Sequence, residues 1–134
     1  MDSKRDWGHA KDYIEGMWKM LQYHKAEDFV LATGKSYSIR DFLVKAFNEV
    51  GISIKFTGKG INECGIVNEN NGNAKVNIGQ EIIKIDSRYF RPTEVEILTG
   101  DATKAKKLLK WTPKYSFENL ISEMVKEDLE NFKP

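Results

Sequence analysis

Phe29-Val30-Leu31-Ala32-Thr33-Gly34, then Ser38-Ile39-Arg40-Asp41-Phe42-Leu43, then Ile52-Ser53-Ile54-Lys55-Phe56, is the stretch that decides the fold class. The first run is short, apolar and closed by glycine, as a buried strand is. In the second, Ile39, Phe42, Leu43, Ala46, Phe47 and Val50 recur at helical spacing. Ser38, with Asp41 three residues on, makes a variant capping box, and Gly51 ends the helix. The third run alternates as a second strand. Strand, helix and strand in about 30 residues predict a βαβ unit, parallel and with a right-handed crossover. The fold class is therefore α/β.

Upstream of this unit, Ala10, Tyr13, Ile14, Met17, Trp18 and Leu21 fall at i, i+3, i+4, i+7, i+8 and i+11, the apolar stripe of a helix expected to be buried. Gly16 interrupts that helix at some cost, tolerable where another element packs close. Downstream, Thr57 to Ala74 dissolves into Gly, Asn and Glu and predicts a long loop, mobile at its Asn68–Asn73 tip. Lys75 to Ile85 alternates loosely as one or two extended segments around Gly79. Asp101 can cap a short helix through Leu109, and Phe117, Leu120, Ile121, Met124 and Val125 mark a final amphipathic helix.

A length of 134 residues predicts a single domain, 1–134. Charged residues make up 31% and the net charge is +1, with both signs interspersed. That balance argues against a nucleic-acid partner. The single cysteine, Cys64, excludes a disulfide framework and a cysteine-rich zinc site. No apolar run is long enough to span a membrane, and the N-terminus has no signal-peptide character. The expectation is a soluble, cytoplasmic chain with no membrane partner and no metal.

Two basic clusters carry the chemistry. Arg91-Pro92-Thr93-Glu94-Val95 sets an arginine three residues from a carboxylate, with a proline stiffening the chain between them. A guanidinium fork clamps a phosphate through parallel hydrogen bonds, and a carboxylate accepts from a pair of sugar hydroxyls. The pair suits a nucleoside diphosphate. Far upstream, Arg5-Asp6-Trp7-Gly8-His9 adds a second arginine with an aromatic neighbour. On the bland alternative, Arg5, Arg91 and Glu94 are ordinary surface charges.

Other motifs fail. Gly34-Lys35-Ser36 has Phe29 where a P-loop needs its first glycine. Gly58 and Gly60 are followed by Glu63 where the dinucleotide fingerprint needs glycine. No tyrosine has a lysine four residues after it. His9 is read as ordering the turn into the first helix, His24 as a solvated helix-end residue, and Asp12 as answering the helix dipole. Trp18 is assigned to the buried stripe and Trp111 to a cap on the core beside Pro113, while Trp7 stays open between packing and lining a pocket. No catalytic constellation is assigned.

With both clusters placed, the chain resembles the C-terminal part of the GDP-mannose 4,6-dehydratases, in the extended short-chain dehydrogenase/reductase superfamily. The matching segments, in order, are Arg5 to Tyr13, Ala32-Thr33-Gly34 with Ser38 to Phe42, Asn62-Glu63, Arg88 to Val95, Gly100 to Ala105 and Trp111-Thr112-Pro113. The resemblance implies a partial extended-reductase fold: the βαβ unit plus irregular extended segments and C-terminal helices. It implies a GDP-mannose partner, with Arg5 and Arg91 on the diphosphate and Glu94 on the ribose hydroxyls. It also implies a lyase activity in full-length members, which use NADP on an N-terminal Rossmann domain and feed GDP-fucose biosynthesis. The cofactor fingerprint and the Tyr-x-x-x-Lys pair of those members have no counterpart in this sequence, so the chain is expected to bind no cofactor alone and to be inactive alone. A non-catalytic relic or interaction module, and the substrate domain of a related sugar-nucleotide epimerase or reductase, are the competing readings. The resemblance also implies that the first helix and the strand near Phe29 pack on the Rossmann sheet. The resemblance therefore implies exposed apolar surface here, and either a Rossmann-domain partner or self-association.

Overall fold

The computed structural model describes residues 1–89 and 95–132. The chain divides into two compact units, one made of Met1–Arg40 with Val95–Pro134 and the other of Asp41–Glu94.

The first unit is organised around a three-residue strand, β1 (Lys4–Asp6), which leads into α1 (Ala10–Gln22). Along one edge β1 pairs antiparallel with β2 (Ser36–Ser38), in the register Lys4 to Ser38, Arg5 to Tyr37 and Asp6 to Ser36. On its other side β1 takes up the segment after Val95. The Lys4 N–H donates to Glu96 O at 2.7 Å, the Leu98 N–H donates to Lys4 O at 3.1 Å, and Lys4 and Ile97 form a parallel bridge. Segments sixty positions apart in sequence, 36–38 and 96–98, thus flank one short strand.

His9 caps α1 with its ring, Nδ1 accepting from the Lys11 N–H at 3.1 Å. An accepting Nδ1 carries no proton, so the ring's hydrogen sits on Nε2, 3.1 Å from a Glu123 carboxylate oxygen. The face of α1 that packs inward is mixed, with buried Asp12 and Gly16 beside half-buried Tyr13 and Met20. Asp12 is fully buried, its Oδ2 accepting from the Lys114 and Tyr115 N–H groups at 3.0 Å each. Gly16 meets Leu31 so closely that an added Cβ would stand 2.6 Å from its side chain. The stripe expected to be buried points the other way: Ile14, Met17, Trp18 and Leu21 are all exposed.

The core of this unit gathers Ala32, Ala102, Ala105, Leu109 and Trp111, with Tyr13, Met20, Phe29 and Leu31 against them. Two helices close it. α3 (Thr103–Leu108) starts where Asp101 accepts from the Thr103 N–H at 2.8 Å. α4 (Phe117–Asn131) starts at a full capping box between Ser116 and Asn119. Phe117 and Ile121 of α4 are buried, and Phe117 stacks on Tyr37 at 4.1 Å. Trp111, expected at the margin of the core, is its fully buried centre.

In the second unit, α2 (Ile39–Glu49, whose first two residues belong to the first unit) ends at Gly51, where φ is +76°. It covers an antiparallel sheet of β3 (Ile52–Thr57), β4 (Cys64–Asn70) and β5 (Glu81–Lys84), in that order. Leu43, Val44, Phe47 and Val50 pack on Ile52, Ile54 and Val67.

Two expectations are corrected here. The parallel βαβ unit does not form. Phe29–Ala32 is not a strand, the strand before α2 is the polar β2, and β3 pairs antiparallel with β4 in a sheet that does not contain β2. A hairpin partner a few residues away is available to β3 through a short turn, whereas a parallel partner needs a long crossover. Gly58 makes that turn at φ +81°, where an added Cβ would lie 2.3 Å from Asn62 O. The long loop over Thr57–Ala74 is likewise interrupted by β4. Its inward positions are Gly65 and Val67, and Gly65 lies under Ile83, with room for no side chain (an added Cβ would be 2.8 Å from Ile83 Cδ1). A glycine at an inward position hides the alternation that marks a strand.

Candidate functional site

Arg5 lies at the middle of β1, with Lys4 and Asp6 on either side. Its Nη1 donates to two carbonyls at 2.8 Å each, those of Lys4 and Val95. The second contact ties the upstream arginine cluster to the last residue of the Arg91–Val95 motif. Arg91 and Glu94 themselves lie outside the described residues.

Arg5 and Asp6 line a cavity of about 380 Å³, together with Tyr13, the Val30–Ala32 segment and Leu98–Gly100. The walls are held by Asp6. Its Oδ1 accepts from the Thr33 N–H at 2.9 Å and from the Thr33 hydroxyl at 2.6 Å. Its Oδ2 accepts from the N–H groups of Gly34 at 2.9 Å and Gly100 at 3.3 Å. One carboxylate thus fastens two separate pieces of chain, Thr33–Gly34 and Gly100, to β1 beside the arginine. Gly100 must be glycine for this, because an added Cβ would stand 2.3 Å from the Ala32 Cβ. Burial, and then the Asp6 and Asp12 carboxylates, push the Tyr13 hydroxyl above its ordinary range, so it stays a neutral donor. Chemically the cavity offers a fixed guanidinium, a phenol and an apolar wall. Beside them stands the Asp6 carboxylate, already satisfied by four donors, and the lining contains no nucleophile paired with a base.

Trp7, left open by the sequence, is turned elsewhere. Its Nε1 donates to Tyr37 O at 3.1 Å, and with Tyr37 and Phe117 it lines a separate cleft of about 270 Å³. His9 serves as a helix cap, as expected, and His24 is exposed just beyond α1. Sequence reasoning missed Asp6 and Tyr13 as parts of the cavity. Asp6 is adjacent to a residue that was singled out, and only its convergence with Thr33, Gly34 and Gly100 marks it. Among the described residues no group of three His, Cys, Asp or Glu side chains could hold a metal ion, and no helix is long and apolar enough to cross a membrane.

The Gly58–Gly60 pair does not form a dinucleotide-binding turn. Gly58 and Gly60 fall in the turn between β3 and β4, which holds a three-residue 3-10 helix (Gly60–Asn62) and no α-helix, and a Cβ added at Gly58 would lie 2.3 Å from Asn62 O. The strand–glycine turn–α-helix arrangement that seats a pyrophosphate on a helix N-terminus is therefore not formed at these glycines.

Among known proteins, the human GDP-mannose 4,6 dehydratase is 48% identical over 130 residues, covering 97% of this chain and 33% of that protein. The Dictyostelium discoideum GDP-mannose 4,6 dehydratase is also 48% identical, over 133 residues, covering 99% of this chain and 35% of that protein. The chain thus spans about a third of the length of these relatives. Among solved structures, RMD from Pseudomonas aeruginosa, complexed with NADPH, superposes with a TM-score of 0.66 at 14% identity, covering 97% of this chain and 34% of that one. UDP-glucose 4-epimerase from Bifidobacterium longum, in complex with NAD+ and UDP, gives a TM-score of 0.60 at 17% identity, covering 96% and 31%. The fold is that of part of an extended short-chain dehydrogenase/reductase. A family model described as GDP-mannose 4,6 dehydratase matches residues 1–124, and the chain belongs to that family.

Proposed function

We propose that this chain grips the GDP moiety of GDP-mannose, as the sugar-nucleotide-binding part of a GDP-mannose 4,6-dehydratase. The observation that carries the reading is the Arg5 guanidinium, held at 2.8 Å by the Val95 carbonyl at the edge of a cavity. An arginine fixed this way loses little freedom when an anion arrives, which is where much of the cost of binding lies. In this reading Arg5 and Arg91 clamp the diphosphate and Glu94 accepts from the ribose hydroxyls. The reading assigns no catalytic residue and no bound cofactor to the chain. NADP would belong to a Rossmann-domain partner, and turnover would require one.

Calorimetric titration with GDP-mannose, with UDP-glucose as control, tests the proposal. Selective heat with GDP-mannose supports it; no heat from a folded chain removes it. A second reading, an interaction module without a ligand, is favoured by one observation, the outward apolar face of α1.

A further inference from the structure

The strand that carries Arg5 is too short to fix its own alignment. β1 has three residues, and its ladder to the segment after Val95 consists of two main-chain hydrogen bonds, from the Lys4 N–H to Glu96 O and from the Leu98 N–H to Lys4 O. Register is weakly specified where the paired residues are few and polar. Arg5 depends on that register, because its Nη1 donates to Val95 O at 2.8 Å, one residue before the ladder begins. A slip of one position would carry this carbonyl about 3.3 Å along the strand, out of reach of the guanidinium.

The Asp6 side chain supplies the missing constraint. It stands at the end of β1 and reaches both of that strand's neighbours. Thr33 and Gly34, which lead into β2, donate three hydrogen bonds to it, and Gly100, two residues beyond Leu98, donates a fourth at 3.3 Å. Four donors fill the lone-pair sites of one carboxylate. An amide cannot take its place. The NH2 of an asparagine turned toward Gly34 and Gly100 would face two main-chain donors, and turned toward Thr33 it would face another. Either way at least one main-chain N–H loses its acceptor.

We propose that Asp6 is a positioning residue, which sets the register of segment 96–100 on β1 and, through the Val95 carbonyl, aims the Arg5 guanidinium. For its ligand this rests on the sugar-nucleotide reading of Arg5; for its geometry it does not. Positioning and plain electrostatics require effects of opposite sign. Asp6 is a negative charge adjacent to an anion site, so by Coulomb attraction alone its removal would tighten the binding of a diphosphate. If it aims Arg5, its removal weakens that binding.

Calorimetry with GDP-mannose, and nuclear magnetic resonance of the Arg5 side-chain nitrogens without ligand, test this on the full chain. Near-ultraviolet dichroism verifies that each variant is folded. Asp6→Asn should weaken GDP-mannose binding by a factor on the order of ten, and by less in a chain that already carries Arg5→Ala. In the ligand-free chain, the Arg5 Nη signals, assigned by their absence in Arg5→Lys, should lose their protection from solvent exchange in Asp6→Asn. Thr33→Val removes one donor and leaves the Thr33 N–H in place. It should show both effects in milder form, and it replaces Asp6→Asn if that variant does not fold. Tighter or unchanged binding in Asp6→Asn, an equal loss in both backgrounds, or unaltered Arg5 signals would each overturn the assignment. A wild type that binds no GDP-mannose, while its Arg5 signals still depend on Asp6, would remove the sugar-nucleotide reading and leave the positioning role standing.

Discussion

The Arg5 guanidinium sits 2.8 Å from the Val95 carbonyl, across ninety positions of sequence. That contact fixes the direction of the fork before any ligand binds. Arg5→Ala should therefore weaken GDP-mannose binding by roughly 1.5–3 kcal/mol, the worth of a charge-assisted hydrogen bond. Arg5→Lys should recover only part of the loss, because lysine keeps the charge without the planar fork. Calorimetry on the three proteins checks the order, and equal affinities would remove Arg5 from the site.

For the downstream motif the expected signature is one of ligand chemistry. Arg91→Ala should cost more affinity than Arg91→Lys, for the same geometric reason. Glu94→Gln should weaken a nucleotide that carries its ribose hydroxyls more than one that lacks them. A competition titration with both nucleotides makes the comparison. A uniform loss for both would mean that Glu94 does not meet the sugar.

How much of this was legible beforehand varies by residue. The helices around Tyr13, Phe42 and Ile121 were readable because apolar spacing at period 3.6 is a local property. The direction of α1 was not, since periodicity shows that an apolar face exists and not what it meets. Asp12 decided that direction, and its role needed Lys114 and Tyr115, about a hundred residues on. The strand at Gly65 was invisible because its inward residue has no side chain. At the site, Arg5 stood out through its motif. Asp6 could be found only once Thr33, Gly34 and Gly100 were brought to it.

Asp12 carries the clearest stability prediction. Its side chain serves two main-chain N–H groups in the buried joint between α1 and the chain entering α4. Asp12→Ala leaves both donors without an acceptor, at about 1–3 kcal/mol for each. Asp12→Asn keeps one acceptor oxygen and should cost less. Urea unfolding followed by tryptophan fluorescence measures this. A midpoint unmoved in Asp12→Ala would show that the joint does not depend on the carboxylate.

Glu27 gives a pH dependence whose sign follows from its partners. Lys104 at 2.8 Å, and after it Lys25 at 2.9 Å, pull the Glu27 carboxyl from its usual 4.5 down to about 2. Lys104 also donates to Asp28 O at 2.9 Å and lies 4.9 Å from the centre of the Phe29 ring, so this one ammonium anchors residues 27 to 29. A carboxyl whose pKa is lower folded than unfolded adds stability above about pH 4.5 and loses it as pH falls through about 2. Glu27→Gln removes that contribution at neutral pH and has none to lose in acid. Melting curves of the two proteins should therefore differ at pH 7 and converge as pH falls below 4. Because the pair is near the surface, added salt should narrow the neutral-pH gap. A gap that stayed constant across the acid range would show that the ion pair does not supply it.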